Sequence, residues 1–180
     1  MGFPHPTIDL PGRWPGLARE LATLQVVDDN GLALRKLVDS DESSTNSTHV
    51  CATAWVVSPE REHTVLVRHK RLGWSTPGGH IERHEDSRQA ALRELHEETG
   101  LTPFDVTVVG DGPAIVHRTD THIDDAPHTH WNIGWLVTCS MEAPLSNLEG
   151  ATWFAVHDIV TGRVDGPADL AHTLRRLIDL

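Results

Sequence analysis

Apolar residues early in the chain recur every three or four positions, which is the spacing of one face of an α-helix. Two short helices are predicted, the first from Leu17, Leu21, Leu24 and Val27 and the second from Leu32, Leu34 and Leu37. The residues that follow, 39–48, are all acidic, amide or hydroxyl residues. This composition predicts a polar linker or loop.

From residue 49 onward, apolar and often β-branched residues occur in short runs, which is typical of strands. The runs at 50–57 and 64–68 flank a turn that contains Pro59, so a β-hairpin is predicted. Further strands are predicted at 106–109, 114–117, 131–138 and 152–156. Residues 73–79 are rich in Gly, Ser, Thr and Pro and are predicted to form a loop.

Two segments after residue 49 are predicted to be helical. Residues 86–99 begin with Asp86 or Ser87 as the N-cap and end before Gly100, which is a suitable terminator. Residues 168–178 have an amphipathic pattern. This order of elements predicts an α/β layered fold around a mixed sheet. We expect a helical extension with its polar linker over 1–48, and a main domain over 49–180.

The composition limits the class of partner. The chain has 180 residues and a formal net charge of −11 with histidine counted as neutral. Proteins that bind nucleic acid polymers usually carry a basic stripe, and none is visible in this sequence. The acidic balance favours a small-molecule substrate, or a site whose carboxylates are neutralised by bound cations.

The two cysteines, Cys51 and Cys139, lie in apolar surroundings and are predicted to be buried free thiols, with a disulfide or redox pair as the alternative. The N-terminal segment lacks the basic and apolar regions of a secretory signal. No apolar stretch approaches the roughly 20 residues that cross a bilayer. We therefore expect a cytoplasmic protein with no membrane partner.

Three glutamates in the helix predicted over 86–99 indicate a possible metal site. Glu94, Glu97 and Glu98 are spaced i, i+3 and i+4, so their carboxylates share one helix face and repel each other. Hard divalent cations such as Mg²⁺ and Mn²⁺ relieve this repulsion, because they prefer oxygen ligands. A cation-binding face is one interpretation, and a solvated acidic face is the other.

Neighbouring residues favour the cation-binding interpretation. Arg93 follows Glu85 by eight residues and is placed to form a charge-assisted pair that holds the preceding loop against the helix. Gly78 and Gly79 allow the backbone to approach a ligand closely, and their carbonyl oxygens are candidate metal ligands.

This segment resembles the signature of a known family, the Nudix box, GX5EX7REUXEEXGU. The matching residues are Gly79, Glu85, Arg93, Glu94, Leu95, Glu97, Glu98, Gly100 and Leu101, which fill every specified position. Seven fixed residues and two apolar ones at this spacing make coincidence negligible. A weaker resemblance, in the order of the strands, extends over about 49–180, whereas 1–48 match nothing in the family.

The resemblance implies a fold and a metal site. Nudix proteins are α/β/α sandwiches in which the box forms a loop, a helix and a second loop. By this resemblance Glu97 and Glu98 are principal ligands of Mg²⁺ or Mn²⁺, and Glu94 is a third ligand or the base that activates water. The Gly78 carbonyl is a further ligand.

The resemblance also implies a reaction, in which Glu85 and Arg93 orient the metal-binding carboxylates. Metal-activated water attacks phosphorus and splits a phosphoanhydride bond. We expect the substrate to be a nucleoside diphosphate linked to another moiety, such as a nucleotide sugar, a modified nucleotide or a nucleoside triphosphate. The alternative is a ligand-sensing regulatory Nudix domain that binds a nucleotide derivative without turnover.

Further candidates lie outside the helix. Many family members use a glutamate from a later loop, and Glu149 is the first positional candidate for this catalytic role, with Glu142 the second. The alternative for each is an ordinary loop carboxylate. Residues 1–48 are expected to act as a lid or as a dimer arm, so a homodimer is one expected assembly.

Candidate substrate-binding residues come from the loops. Trp74 is placed to stack on a base, with core packing as the alternative. Gly79 and His80 lie beside the box. A histidine-rich segment is predicted to be a substrate lid, with a polar surface loop as the alternative. Its histidines are His117, His122, His128 and His130, of which the last two are the substrate-binding candidates. A zinc site here lacks a recognisable spacing.

Overall fold

The computed structural model describes residues 16–39, 48–70, 72–82, 84–123, 126–146 and 150–180. The helices are α1 (Leu17–Ala22), α2 (Asp29–Asp39), α3 (Ser87–Thr99), α4 (Val156–Val160) and α5 (Leu170–Ile178). The strands are β1 (Thr48–Val57), β2 (His63–His69), β3 (Gly73–Ser75), β4 (Gly78–His80), β5 (Val106–Val108), β6 (Ile115–Ile123), β7 (Ala126–Cys139) and β8 (Thr152–Ala155).

The strands form a mixed sheet with β1 at its centre. Strand β1 runs parallel to β7 over its whole length and pairs in antiparallel fashion with β2 and β4. Strand β7 also pairs with β5 and β6, and β2 also pairs with β3 and β8, all antiparallel. The hairpin predicted between 50–57 and 64–68 is present as β1 and β2.

Helices cover both faces of the sheet because side chains alternate along β1. The residues at even positions, Val50 to Val56, belong to a core that also contains Leu34 of α2 and Leu95 of α3. Trp55 faces the other way and belongs to a second core with helices α4 and α5. The predicted α/β fold, with helices on both faces of a mixed sheet, is confirmed.

The extension before residue 48 contributes to the first of these cores. Leu17 and Leu21 of α1 and Leu34 of α2 are almost completely buried there. Between the two helices, the backbone amides of Gln25 and Val26 donate to carbonyl oxygens of residues 113 and 114, just before β6. The two predicted helices are thus present and packed on the sheet. The predicted polar linker lies largely outside the described residues.

Two predicted loops are wrong, because strand pairing extends further than the apolar runs. Residues 73–79 contain β3 and most of β4, which pair with β2 and β1. The histidine-rich segment forms paired strands, because β6 and β7 continue together as far as Ile123 and Ala126. The ladder is formed by backbone hydrogen bonds, so the polar residues of this segment pair without an apolar signal in the sequence. Helix α4 has no counterpart among the predicted elements, since a single turn is too short to show helical periodicity.

The cysteine prediction is confirmed, since Cys51 and Cys139 are buried free thiols. Within the described part of the chain, no helix has the length and apolar character needed to cross a membrane.

Candidate active site

Helix α3 has strong signals at both ends that fix its position. The Asp86 carboxylate accepts a hydrogen bond from the Gln89 amide, and the Gln89 side chain accepts one from the Asp86 amide, which completes a capping box. At the other end, Gly100 has a φ of 77° and its N–H donates to the His96 carbonyl. Glycine adopts this left-handed cap without strain because it has no Cβ atom.

The buried face of α3 orients its three glutamates. Ala90, Ala91 and Leu95 pack into the core against β1. Small alanines allow a helix to approach a sheet closely, so the neighbouring face lies beside the glycines of β4. That neighbouring face carries the glutamates Glu94, Glu97 and Glu98.

Arg93 joins the loop before α3, α3 itself and β4. Its Nε donates to Glu85 Oε1 over 2.8 Å and its Nη2 donates to Glu85 Oε2 over 3.0 Å, so the predicted pair is a two-point ion pair. Nη1 lies 2.7 Å from Glu94 and 3.6 Å from Glu97, and Nη2 also donates to the His80 carbonyl. One guanidinium therefore holds the loop, the helix and β4 in a fixed geometry.

The two glycines of β4 are required by close contacts. The Gly78 amide donates to Glu98 Oε2 over 3.0 Å. A Cβ atom at Gly79 would lie 2.6 Å from the Glu94 carboxyl carbon, and one at Gly78 would lie 2.5 Å from the Ala52 carbonyl oxygen. No larger residue fits either position without moving the carboxylates or the strand.

The site concentrates negative charge in a partly buried place. The Glu94 side chain is only 17% exposed, and burial raises the pKa of its carboxyl group above the ordinary value, although the hydrogen bond from Arg93 opposes this effect. The pKa of Glu85 is lowered, chiefly by its hydrogen bond from Arg93. The possible donors on α3 are all oxygens, which is the chemistry that Mg²⁺ and Mn²⁺ prefer.

A cavity of about 400 Å³ opens on the other side of β4 from helix α3. Gly78, Gly79 and His80 line one wall, and His130 lines another. The remaining walls combine the apolar groups Trp55, Leu72, Pro167 and Leu170 with polar groups such as Thr119 and Asn132. A cavity with both apolar and polar walls suits a small molecule that has an apolar body and polar groups.

A smaller cavity of about 140 Å³ adjoins the glutamates. Glu98 lines it together with Arg68, His69 and Lys70 from the end of β2. His69 and Lys70 also line the large cavity, so basic side chains connect the two spaces. This arrangement suits a ligand whose anionic part lies beside α3 and whose remaining part enters the large cavity.

His117 lies in β6, within the strand predicted over 114–117, and it lines the large cavity instead of belonging to a lid. It is 6% exposed. Its Nδ1 is 2.8 Å from Asp169 Oδ2, and its Nε2 is 3.2 Å from Thr53 Oγ1. The carboxylate fixes the orientation of the imidazole, which a lone histidine on a mobile loop would lack.

Two residues predicted to belong to the site, Trp74 and Glu142, are not among the described residues that line the large cavity. Trp74 lies in β3, where its ring packs against Phe154 at 4.8 Å and under the Arg68 guanidinium at 5.3 Å. Glu142 is exposed in the turn after β7. Glu149 lies outside the described residues.

The remaining histidines belong to the strands around the cavity. His128 and His130 lie in β7, where both are partly buried, and His122 lies in β6. The ring of His128 stacks on His49 at 4.5 Å. His49 is not among the site residues predicted from the sequence.

Several cavity residues were missed by sequence reasoning, although a signal for some of them exists. Cys51, Thr53 and Trp55 alternate along β1 with the small apolar residues of the core face. This alternation with a period of two indicates that β1 has one apolar face in the core and a second face with different surroundings. The thiol, hydroxyl and indole groups on the second face suggest that it lines a cavity. Asp169 has no such signal, because only the fold brings it beside β6.

Comparisons with known proteins agree with this architecture. A family model for the NUDIX domain matches residues 47–177. The RNA pyrophosphohydrolase of Histophilus somni (strain 2336) is 39% identical over 54 residues, covering 30% of this chain and 28% of that protein. The putative mutator protein MutT4 of Mycobacterium tuberculosis (strain CDC 1551 / Oshkosh) is 44% identical over 63 residues, covering 31% of this chain and 25% of that protein. The matches therefore span less than a third of these relatives.

Solved structures share the fold at low sequence identity. The C. elegans Ap4A hydrolase superposes with a TM-score of 0.55 at 19% identity, covering 72% of this chain and 95% of that one. The E. coli dihydroneopterin triphosphate pyrophosphohydrolase has a TM-score of 0.58 at 12% identity, covering 73% and 96%. With the family model matching 131 consecutive residues, from 47 to 177, the chain belongs to the NUDIX family.

Proposed function

We propose that this protein is a divalent-metal-dependent pyrophosphohydrolase that splits a phosphoanhydride bond in a small nucleoside diphosphate derivative. One observation carries the proposal. Glu94, Glu97 and Glu98 share one face of α3, and this face packs against the glycines of β4 beside a cavity lined by basic side chains. A solvated acidic face, the alternative interpretation, would not need a glycine under Glu94 or a shared guanidinium.

The residues present fit a hard cation. Glu97 and Glu98, with Glu94 or the Gly78 carbonyl, would hold Mg²⁺ or Mn²⁺. A cation bound there neutralises phosphate oxygens and lowers the pKa of coordinated water. Glu97 is the most exposed of the set, at 57% of its side chain, so it is accessible to an incoming ion.

The chain's own groups would position the substrate. Arg93 fixes Glu85 and Glu94, so the carboxylates stay in place when a polyanion enters. Arg68, His69 and Lys70 attract the phosphates toward Glu98. The large cavity takes the remaining moiety, with Asp169, His117 and Thr53 as its ordered polar wall.

The names of the relatives support this class of reaction. Proteins named pyrophosphohydrolase or Ap4A hydrolase occur among both the sequence relatives and the structural neighbours. The relative named RNA pyrophosphohydrolase suggests RNA as an alternative substrate. The net charge of −11 disfavours binding of such a polyanionic polymer. We propose a small-molecule substrate and place the polymer in the experiment as an alternative.

The test is a panel of substrates incubated with Mg²⁺ or Mn²⁺, with products identified by mass spectrometry. The panel contains nucleotide sugars, dinucleoside polyphosphates, nucleoside triphosphates and a short 5′-triphosphorylated RNA. We expect turnover of at least one small nucleotide, with a nucleoside monophosphate among the products, and none without the cation. Preference for the RNA would overturn the small-molecule proposal.

A ligand-sensing domain remains the competing function. It predicts that one nucleotide binds, as measured by calorimetry, and that no member of the panel is hydrolysed with either cation. Glu98→Gln is compared with the matched control Glu60→Gln, because Glu60 is exposed in the turn between β1 and β2, away from α3. Equal turnover in Glu60→Gln and the natural chain would show that a lost glutamate charge alone does not reduce the reaction.

A further inference from the structure

A cysteine and two histidines converge on the wall of the large cavity. Sγ of Cys51 and one ring nitrogen each from His80 and His130 lie within 4.8 Å of one another. Each residue belongs to a different strand, namely β1, β4 and β7. They were not recognisable as a group in the sequence, since 29 and 50 residues separate them along the chain.

Strand register explains this convergence. Cys51 is paired directly with His80 across the antiparallel β1 and β4 strands. His130 is paired with His49, which precedes Cys51 by two residues and so shares its face of β1. Directly paired side chains on one face have Cβ atoms about 4.5–5.5 Å apart, so long side chains from the three strands can reach a common point.

The donor set has a chemistry different from that of helix α3. One sulfur and two imidazole nitrogens suit Zn²⁺ and other borderline cations, whereas the glutamates offer oxygen only. Tetrahedral Zn²⁺ has bonds of about 2.3 Å to sulfur and about 2.0–2.1 Å to nitrogen, which puts its ligand atoms about 3.5 Å apart. The present spacing of up to 4.8 Å closes to that value by small side-chain rotations.

Metal binding would change the state of two buried donor atoms, the Cys51 thiol and the His130 Nε2 atom. Cys51 is 4% exposed, and burial together with the negative charge of Glu94 raises the pKa of its thiol to about 12. A coordinated thiol is deprotonated by the metal itself, so this proton is released on binding. His130 Nε2 is buried and has no hydrogen-bond partner among the described residues. A metal ion would satisfy this nitrogen.

Neighbouring imidazoles pack around the cluster. The ring of His49 lies 5.3 Å from that of His80 and 5.9 Å from that of His130, and it stacks on His128 at 4.5 Å. These contacts fix the planes of the rings, as a supporting shell does for metal ligands.

We propose that Cys51, His80 and His130 form a second metal site that binds one Zn²⁺ ion, with a fourth position open to water from the large cavity. All three residues line that cavity, which provides the access. The site is separate from the glutamates. Gly79 faces Glu94, and adjacent strand residues point to opposite faces, so His80 projects away from α3. The inference does not depend on the proposed hydrolase activity.

Cobalt substitution tests the site directly. The full chain, freed of metal by a chelator, is titrated with Co²⁺ and then with Zn²⁺. We expect a saturable thiolate-to-cobalt charge-transfer band at one ion per chain, together with the visible bands of tetrahedral Co²⁺, and we expect one equivalent of Zn²⁺ to abolish both. Absence of the charge-transfer band at saturating Co²⁺ would overturn the proposal.

Matched variants identify the ligands. Cys51→Ser is expected to lose the charge-transfer band, whereas Cys139→Ser, which removes the other buried thiol, keeps it. His130→Asn is expected to weaken Zn²⁺ binding more than about 100-fold, whereas His157→Asn, at an exposed position, leaves it unchanged. His130→Asn also decides the matter if Cys51→Ser fails to fold. Unchanged Zn²⁺ affinity in folded His130→Asn would overturn the proposal.

Discussion

Gly79 of β4 lies directly against the Glu94 carboxyl group of α3. A Cβ atom there would overlap the Glu94 carboxyl group, so Gly79→Ala must displace that carboxylate from its place beside Arg93. We predict that kcat falls about 100-fold, since a shift of about 1 Å in a catalytic group has an effect of this size. Turnover is measured at saturating substrate and Mg²⁺.

The control for this prediction is Gly162→Ala. Gly162 has a φ of +75°, and a Cβ atom added there would meet no other atom within 4 Å. Alanine therefore adds backbone strain of about 1 kcal/mol without touching the site. We expect lower thermal stability and an unchanged kcat in this variant. Full activity in Gly79→Ala would mean that the position of Glu94 does not matter to the reaction.

Glu20 gives a prediction about pH. Ser87 donates a hydrogen bond to its carboxylate, and Trp135 Nε1 donates to Ser87 over 2.8 Å, which links α1, α3 and β7. Burial raises the pKa of Glu20 above 4.5 in the folded protein. The folded chain therefore binds the Glu20 proton more tightly than the unfolded chain does. The resulting contribution to stability is fully present below pH 4.5 and is lost as the pH rises through the pKa of the folded state.

Glu20→Gln is neutral at every pH and its amide oxygen still accepts from Ser87. We predict that its Tm exceeds that of the natural chain by about 1–2 °C at pH 7, and that the advantage disappears at pH 4. Glu62→Gln, at an exposed position, is expected to show no such dependence. Differential scanning calorimetry at the two pH values measures the difference. An advantage that grows toward pH 4 would contradict the assigned direction.

At the scale of elements, one guanidinium joins the loop, α3 and β4. Arg93→Lys keeps the charge and loses the two-point pair with Glu85 and the hydrogen bond to the His80 carbonyl. We predict a loss of about 1–2 kcal/mol in the free energy of unfolding and a fall in kcat of about 10-fold or more. Urea unfolding and steady-state kinetics measure the two effects.

Arg163→Lys is the matched control. Arg163 pairs with Asp158 at 2.9 Å, but its side chain is 65% exposed, so the exchange is expected to change stability by less than about 0.5 kcal/mol. If both exchanges have the same small effect, Arg93 does not hold these elements together.

The elements show which parts of the fold were predictable from sequence. Helix α3 was predicted with its correct ends, because the capping residues and Gly100 act locally. Strands β3 and β4 were missed, since each has three residues and is stabilised by partners distant in sequence. The same limit applies to the site. The spacing of Glu94, Glu97 and Glu98 is a local property of a helix, whereas the meeting of Cys51, His80 and His130 depends on strand register.

At the scale of the whole molecule, α1 and α2 belong to the core that supports the site. Leu34 is fully buried among residues of β1 and α3, whereas Leu32 on the same helix is 45% exposed. We predict that Leu34→Ala reduces the free energy of unfolding by about 2–4 kcal/mol, because it leaves a cavity in the core. Leu32→Ala is expected to cost less than about 1 kcal/mol. Urea unfolding of both variants makes the comparison.

The urea unfolding of these two variants shows whether the helices before residue 48 are a firmly packed part of the fold. A large loss in Leu34→Ala means that the extension is an integral layer of the fold, and that a lid or dimer arm made from it would have to leave the core. Equal small losses in both variants would mean that α2 is only loosely attached. Sedimentation of the natural chain separately tests the proposed homodimer.

The central claim is that the α3 glutamates hold the cation that enables hydrolysis, and Glu98 tests it most directly. The measurement is kcat as a function of Mg²⁺ concentration for the natural chain and for Glu98→Gln, with Glu60→Gln, at an exposed position in the β1–β2 turn, as the control. We predict that Glu98→Gln lowers kcat about 100-fold or more and raises the Mg²⁺ concentration for half-maximal rate, while the control matches the natural chain. Undiminished turnover in Glu98→Gln with an unchanged Mg²⁺ dependence would contradict the account.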